Sequence, residues 1–310
     1  MSKHVFGVDL GGTTVKLGLF TTEGELLEKW EIPTRKEFDG KYILPDIAES
    51  ILAKMEEKNL EKTDVQGVGI GVPGPVNDEG VIFGAANLGW GTININNALG
   101  SLTGLDVKAG NDANVAALGE MWKGGGQGHK NMVAVTLGTG VGGGIICEGK
   151  LLCGATGAGG EIGHIHVEDA ETDVCGCGNT GCLEQYASAT GIVRLATRKL
   201  ASCDMPSSLR DTEVSAKTVF DAVKEGDALA NQVAEQFGEY LGKGLAAVAG
   251  VVNPEIFVIG GGVSKAGPVL LDFVQDQYKK YVFRGSRDCE FALATLGNDA
   301  GIYGAAKLAL

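Results

Sequence analysis

The chain has 310 residues, 44% hydrophobic and 21% charged, enough to bury the cores of two domains or of one duplicated architecture. Its net charge of −13 is spread along the sequence, which opposes binding to a phosphate backbone and excludes nucleic acid as the expected partner. With no apolar run of about 18 residues and no leader-like start, no membrane partner is expected and the chain reads as cytoplasmic; there, an odd count of seven cysteines argues for metal over disulfides.

In chain order, residues 5–20 (VFGVDLGGTTVKLGLF) predict a strand, a Gly/Thr turn and a second strand, a hairpin rather than the strand-to-helix step of a dinucleotide site. Residues 43–58 carry helical apolar spacing, and residues 65–72 (VQGVGIGV) read as a strand ended by Pro73, Gly74 and Pro75. GNDAN at 110–114 then opens an alanine-rich helix. Residues 132–147 (MVAVTLGTGVGGGIIC) echo the first hairpin without a gap, Val8 on Val135, Leu10 on Leu137 and Gly11 on Gly138. A long helix is expected over 228–252, stopped before Pro254, then a buried strand over 256–259 that runs into Gly260, Gly261 and Gly262. GNDAG at 297–301 repeats the earlier motif. Two paired motifs imply two related halves, and the alternation of strands and helices gives the α/β class. The expected division is a small domain of residues 1–112 joined by a C-terminal helix at 299–310, and a large domain of residues 113–298.

GTGVGG at 138–143 fits a dinucleotide pattern, but strand and turn follow where a helix is required. GIICEGKL at 144–151 has Leu151 where a phosphate-binding loop needs Ser or Thr. What remains is a pair of turns, Gly11, Gly12, Thr13 and Thr14 in the first and Gly138, Thr139 and Gly140 in the second. Their backbone N–H groups can approach phosphate oxygens, with Gly260, Gly261 and Gly262 as a third run. Asp9 is placed to hold magnesium through its water shell, whereas Thr136 in the echo carries no charge. Lys16 either neutralises a phosphate or lies on the hairpin surface. The competing reading is that the glycines only make tight turns.

VCGCGNTGCLEQ at 174–185 supplies Cys175, Cys177 and Cys182, and upstream GEIGHIH supplies His164, giving the Cys₃His set of a closed zinc shell. Spacing alone leaves His166 as a competing fourth ligand. A four-coordinate site has no open position, so this zinc is expected to be structural, holding Glu161 and His164 near Glu184. The alternative for Glu184 is a solvated surface charge.

Taken together, DLGGTTVK, VGIGVPGPV, GNDANVAALGE, LGTGVGGGI, GEIGH, CGCGNTGCLEQYAS and VIGGGV resemble the ROK family of repressors, open reading frames and sugar kinases, in particular its bacterial glucokinases. The resemblance implies an actin-like ATPase (ribonuclease-H-like) fold, two α/β domains around a catalytic cleft, and ATP-dependent phosphorylation of a hexose at its 6-hydroxyl. It implies Asp112 as catalytic base, Asn87, Asn111, Glu161, His164 and Glu184 as sugar ligands, and zinc on His164, Cys175, Cys177 and Cys182. His166 stands where relatives commonly carry proline. Cofactors implied are ATP, Mg²⁺ and structural Zn²⁺, in a homodimer or homotetramer.

On residue chemistry alone, Asp112 and Asp299 each read equally as helix caps, and only the resemblance prefers Asp112 as the base. The expected sugar is glucose, with N-acetylglucosamine, N-acetylmannosamine, fructose or allose as alternatives. A sugar-sensing repressor is disfavoured because only about four residues precede the first strand, too few for a DNA-reading module.

Overall fold

The computed structural model describes residues 3–310. Its first sheet is built from β1 (His4–Leu10), β2 (Thr14–Thr21), β3 (Leu26–Pro33), β4 (Val65–Val72) and β5 (Val107–Asn111), in the order β3-β2-β1-β4-β5. The first three strands are an antiparallel meander, and β4 and β5 join in parallel. Crossover α1 (Ile43–Glu57) places Ile43, Ile47, Ile51 and Met55 on one face, and α2 (Ile95–Thr103) adds Ile95 and Leu99. These side chains close a core over Val8, Leu10 and Ile70, the periodicity of 3.6 meeting the flat sheet.

β5 runs into α3 (Asp112–Lys123), and a second sheet follows: β6 (Met132–Leu137), β7 (Val141–Cys147), β8 (Lys150–Leu151), β9 (Ile256–Gly260) and β10 (Glu290–Leu293). Its order, β8-β7-β6-β9-β10, repeats that of the first sheet strand for strand. The duplication suggested by the paired motifs is thus a duplication of topology. Helices α4 (Ala189–Ser202), α5 (Ala216–Lys224), α6 (Ala228–Val252) and α7 (Val269–Tyr281) pack a second core around Leu241, Leu245, Phe257 and Tyr278.

The gapless alignment of the two hairpins needs one correction. In the first, Leu10 pairs with Val15, with residues 11–14 between them; in the second, Leu137 pairs with Val141 across residues 138–140. The second turn is one residue shorter, so Val141 is the structural counterpart of Val15, where the sequence alignment had matched Gly142. Because side chains alternate faces with a period of two, that single residue decides which side chains of the returning strand face inward.

The last helix, α8 (Ala300–Leu308), crosses back over the first sheet. A methyl group at Gly69 of β4 would strike the Ala305 carbonyl of α8. α3 in turn lies on β7, where Gly144 faces Ala113 and Ala117. The two helices cross each other at Gly119 and Gly304: a Cβ on Gly304 would meet the Val115 carbonyl, and one on Gly119 the Ala300 carbonyl. The crossing carries the starts of both helices, and with them both GND motifs, into the space between the sheets.

Candidate active site

That space is a cavity of about 660 Å³ lined by Asp9, Lys16, Asp112, Glu120, Gly260, Gly261, Gly262, Lys265 and Asn298, among others. Asp9, near the end of β1, sits against the first turn of α8. A Cβ on Gly301 would lie 2.6 Å from the Asp9 carboxyl carbon, so the approach depends on that glycine. Burial raises the Asp9 pKa above its ordinary 3.8, and Lys16, with its Nζ 3.8 Å from Oδ2, offsets part of the rise.

Asp112 is the first residue of α3, and the capping expected of it is done by its neighbour. Asn111 Oδ1 accepts the N–H groups of Ala113 at 3.0 Å and Asn114 at 3.1 Å, while Asn111 Nδ2 donates to the Gly74 carbonyl at 3.2 Å. The Asp112 carboxylate is exposed and opens to the cavity. Burial raises its pKa, the Ala113 N–H (2.8 Å from Oδ1) pulls it down, and the like charge of Asp9 raises it again. Asp299 occupies the corresponding cap position of α8 but makes no side-chain capping bond; it pairs with Lys29 Nζ at 2.7 Å. The two GND aspartates, indistinguishable in sequence, therefore differ in structure: one faces the cavity and the other is held in an ion pair.

The cysteine segment folds as a tight knot. The Cys175 N–H donates to the Asn179 carbonyl, the Gly178 N–H returns to the Cys175 carbonyl, and Gly178 takes the left-handed conformation at φ +93°. One donor atom from each of His164, Cys175, Cys177 and Cys182 lies within 4.8 Å of every other. The Cys177 and Cys182 sulfurs are 3.6 Å apart, and His164 Nδ1 is 3.7 Å from Cys175 Sγ. Four ligands around zinc at about 2.3 Å from sulfur place sulfurs about 3.8 Å apart, so this donor set fits the ion. His166 stays outside the cluster. Its Nδ1 is 3.0 Å from the Thr180 carbonyl and its Nε2 is 2.8 Å from Asp169, so both ring nitrogens have other partners.

Glu184, at the start of a one-turn helix (Glu184–Ala187), accepts from Cys175 Sγ at 2.9 Å, and its Oε1 is 3.8 Å from His164 Nδ1. The other face of the same imidazole meets Glu161, Nε2 to Oε2 at 4.0 Å. The knot thus gathers Glu161, His164 and Glu184, as the spacing suggested. Asn87 lies exposed in the turn Ala86–Leu88, on the first-sheet side.

The phosphate turns are distributed differently. Gly260, Gly261, Gly262 and Lys16 line the large cavity with the two aspartates, and neither residues 11–14 nor residues 138–140 are in its wall. The first turn is braced by Thr34, which donates to the Gly11 carbonyl at 2.7 Å. The second leans on the start of α4, its Gly138 and Thr139 carbonyls accepting from Ala189 N and Thr190 Oγ1. There Thr139 and Gly140 share a neighbouring cavity of about 480 Å³ with Cys175 and Glu184.

The ROK family model matches residues 5–310. The chain belongs to the ROK family. A glucokinase of Halalkalibacterium halodurans is 46% identical over 304 residues, covering 96% of this chain and 92% of that protein. Two solved structures share its fold: a ROK hexokinase from Thermus thermophilus (TM-score 0.81, 32% identity, covering 98% of this chain and 97% of that one) and a ROK family glucokinase from Streptomyces griseus in complex with glucose and AMPPNP (TM-score 0.72, 33% identity, 98% of each chain). The fold of this ROK chain is the actin-like ATPase fold, with an α/β sheet on each side of the cavity. Among the described residues, no helix is long and apolar enough to cross a membrane.

Several residues of the ROK site escaped the reading of the sequence. Glu120 belongs to the quoted GNDANVAALGE motif and Asn298 is the middle residue of the second GND, but neither had a role there, and Lys265 only follows the GGG run. Glu171, outside the large cavity, also went unassigned: it is buried, bonded by the Tyr186 hydroxyl at 2.6 Å and by Arg194 and Arg198. Four acidic residues, Glu168, Asp169, Glu171 and Asp173, lie between the GEIGH and CGCG segments, and nothing in the sequence singles out this one.

Proposed function

We propose that this chain transfers the γ-phosphoryl group of ATP to the 6-hydroxyl of glucose, with Asp112 accepting the hydroxyl proton. The observation that carries the reading is one cavity holding Asp9 and Asp112 beside the GGG turn, in a ROK chain similar to glucokinases along nearly its whole length.

Phosphoryl transfer is mainly positioning and charge neutralisation. Asn87, Asn111, Glu161, His164 and Glu184 orient the sugar hydroxyls, and Asp112 lies at the start of α3 where it can take the proton of the attacking oxygen. Lys16, with Gly260, Gly261 and Gly262, faces the phosphates of the donor. Gly11, Gly12, Thr13 and Thr14 of the first hairpin turn and Gly138, Thr139 and Gly140 of the second are assigned to the donor phosphates by their backbone N–H groups, from outside the wall of this cavity. Asp9 offers a partly buried oxygen ligand, paired only loosely with Lys16, that suits a hard cation. Mg²⁺ bound there would spread the negative charge of the donor phosphates. Zn²⁺ on His164, Cys175, Cys177 and Cys182 would supply rigidity, leaving His164 Nε2 free to face the sugar with Glu161. In this reading residues 1–112 with 299–310 form one lobe and residues 113–298 the other.

A coupled assay of ADP release across a panel of hexoses tests the proposal. Glucose should give the highest kcat/KM. If an N-acetylated hexose were turned over and glucose were inert, glucose would be replaced as the substrate.

A further inference from the structure

Glu120 lies eight residues along α3 from Asp112, on the wall of the large cavity, and is only 4% exposed. Its carboxylate is spent entirely on main chain. Oε2 accepts the Gly125 N–H at 2.9 Å and the Thr295 N–H at 3.1 Å, and Oε1 accepts the Leu296 N–H at 2.9 Å. The first of these groups is in the turn that ends α3; the other two are in the loop between β10 and α8. That loop continues through Gly297 and Asn298 along the cavity wall, and its Asn298 carbonyl accepts from Lys16 Nζ at 3.1 Å. A buried carboxylate is costly unless fully bonded, so a residue that served packing alone would be better apolar. Here the charge is matched by three donors from two separate segments.

We infer that Glu120 is a positioning residue for the phosphoryl donor, clamping the loop at 295–298 to the catalytic helix so that the donor-facing wall and Asp112 hold one fixed relation. The inference rests on the cavity being the donor site. It assigns Glu120 no contact with substrate: the carboxylate acts through the backbone it holds. Gln at this position keeps one acceptor oxygen and places an amide N–H₂ group against a backbone donor. Leu removes both acceptors and leaves three N–H groups without their partner.

The test compares Glu120→Gln and Glu120→Leu with the unaltered protein, varying ATP and glucose separately and measuring glucose binding without ATP. The expected result for Glu120→Gln is a KM for ATP raised about tenfold, with glucose affinity within about twofold of the unaltered value, and a larger ATP defect for Leu. A folded Gln variant with unchanged KM for ATP, or with ATP and glucose weakened equally, overturns the proposal, because a purely structural role predicts one of those patterns. If the variants do not fold, amide hydrogen exchange on the unaltered protein decides. AMPPNP should slow exchange at Gly125, Thr295 and Leu296 together, and glucose alone should not. Binding of AMPPNP without a response at Gly125 removes Glu120 from its role while leaving the donor site intact. No AMPPNP binding at all removes the donor site as well.

Discussion

A general base must be ionised, free of a competing ion pair and open to the attacking hydroxyl, and the repeated GND motif offers two candidates with different fates. Asp299 is neutralised by Lys29 at 2.7 Å, while Asp112 opens to the cavity. Replacing Asp112 with Asn should lower kcat by about 10²-fold or more with little change in glucose affinity, since the amide keeps the shape and loses the proton acceptor. Steady-state kinetics beside direct glucose binding checks this, and near-normal turnover would remove Asp112 from the mechanism. The pH dependence has a defined sign. Burial first, and then the charge of Asp9, raise the Asp112 pKa, so the base protonates at higher pH than a free aspartate and kcat/KM falls on the acid side with a midpoint above 3.8. Asp9→Asn removes the like charge, lowers the Asp112 pKa and should move whatever acid limb remains to lower pH; a limb that stays in place would separate the two carboxylates electrostatically.

At the scale of elements, the cysteine knot and the start of α4 lie together on the side proposed for the sugar. The knot sets His164 between the two carboxylates, its Nδ1 3.8 Å from Glu184 and its Nε2 4.0 Å from Glu161. Chelation of its metal is therefore expected to weaken glucose binding before ATP binding, a difference that titrations of metal-stripped protein with glucose and with AMPPNP would reveal. Metal analysis finding no zinc in active protein would end that account. Beside the knot, α4 holds the chain by charge: Arg194 and Arg198 reach Glu171 and Asp173, and Tyr186 completes the ring of donors. Burial opposes the ionisation of Glu171, but the Tyr186 and Arg198 bonds, with Arg194, outweigh it and hold the pKa down to about 2 from 4.5. A carboxylate with a depressed folded pKa contributes stability that is complete above 4.5 and lost as pH falls towards 2. Glu171→Gln should thus cost about 2 kcal/mol at pH 7, allowing for the half-exposed Arg198, and should flatten the acid side of the stability curve. Urea melts at pH 7 and pH 3 measure it; an equal loss at both would assign the effect to packing.

On the scale of the whole molecule, the repeated hairpins and GND motifs made the two-sheet architecture legible, because hairpin and strand-to-helix signals are local. The one-residue difference between the turns was not legible, since two glycine-rich turns of unequal length align equally well until pairing fixes the register. Similarly, the Cys₃His spacing was visible in the sequence, whereas the different surroundings of Asp112 and Asp299 were not: residue chemistry left them equal, only the family resemblance preferred Asp112, and the ion pair of Asp299 depends on Lys29 of β3 reaching the start of α8. What joins the halves is the glycine crossing of α3 and α8, which sets Asp112 on one helix against Asp9 beneath the other. Gly301 gives Asp9 its place, and Gly304 lets the helices touch at Val115. A methyl at Gly304 must push α8 away from α3, an overpacking that costs about 1–3 kcal/mol. The displacement is passed to β1, on which α8 also lies, and so to the spacing of the two carboxylates. Gly304→Ala should lower the Tm by several degrees, about 2–4 °C for each kcal/mol, and reduce kcat more than it weakens glucose or ATP. A variant that melts early but turns over normally would show that the crossing only holds the lobes together, and that the separation of Asp9 and Asp112 is fixed by the first sheet, which carries both.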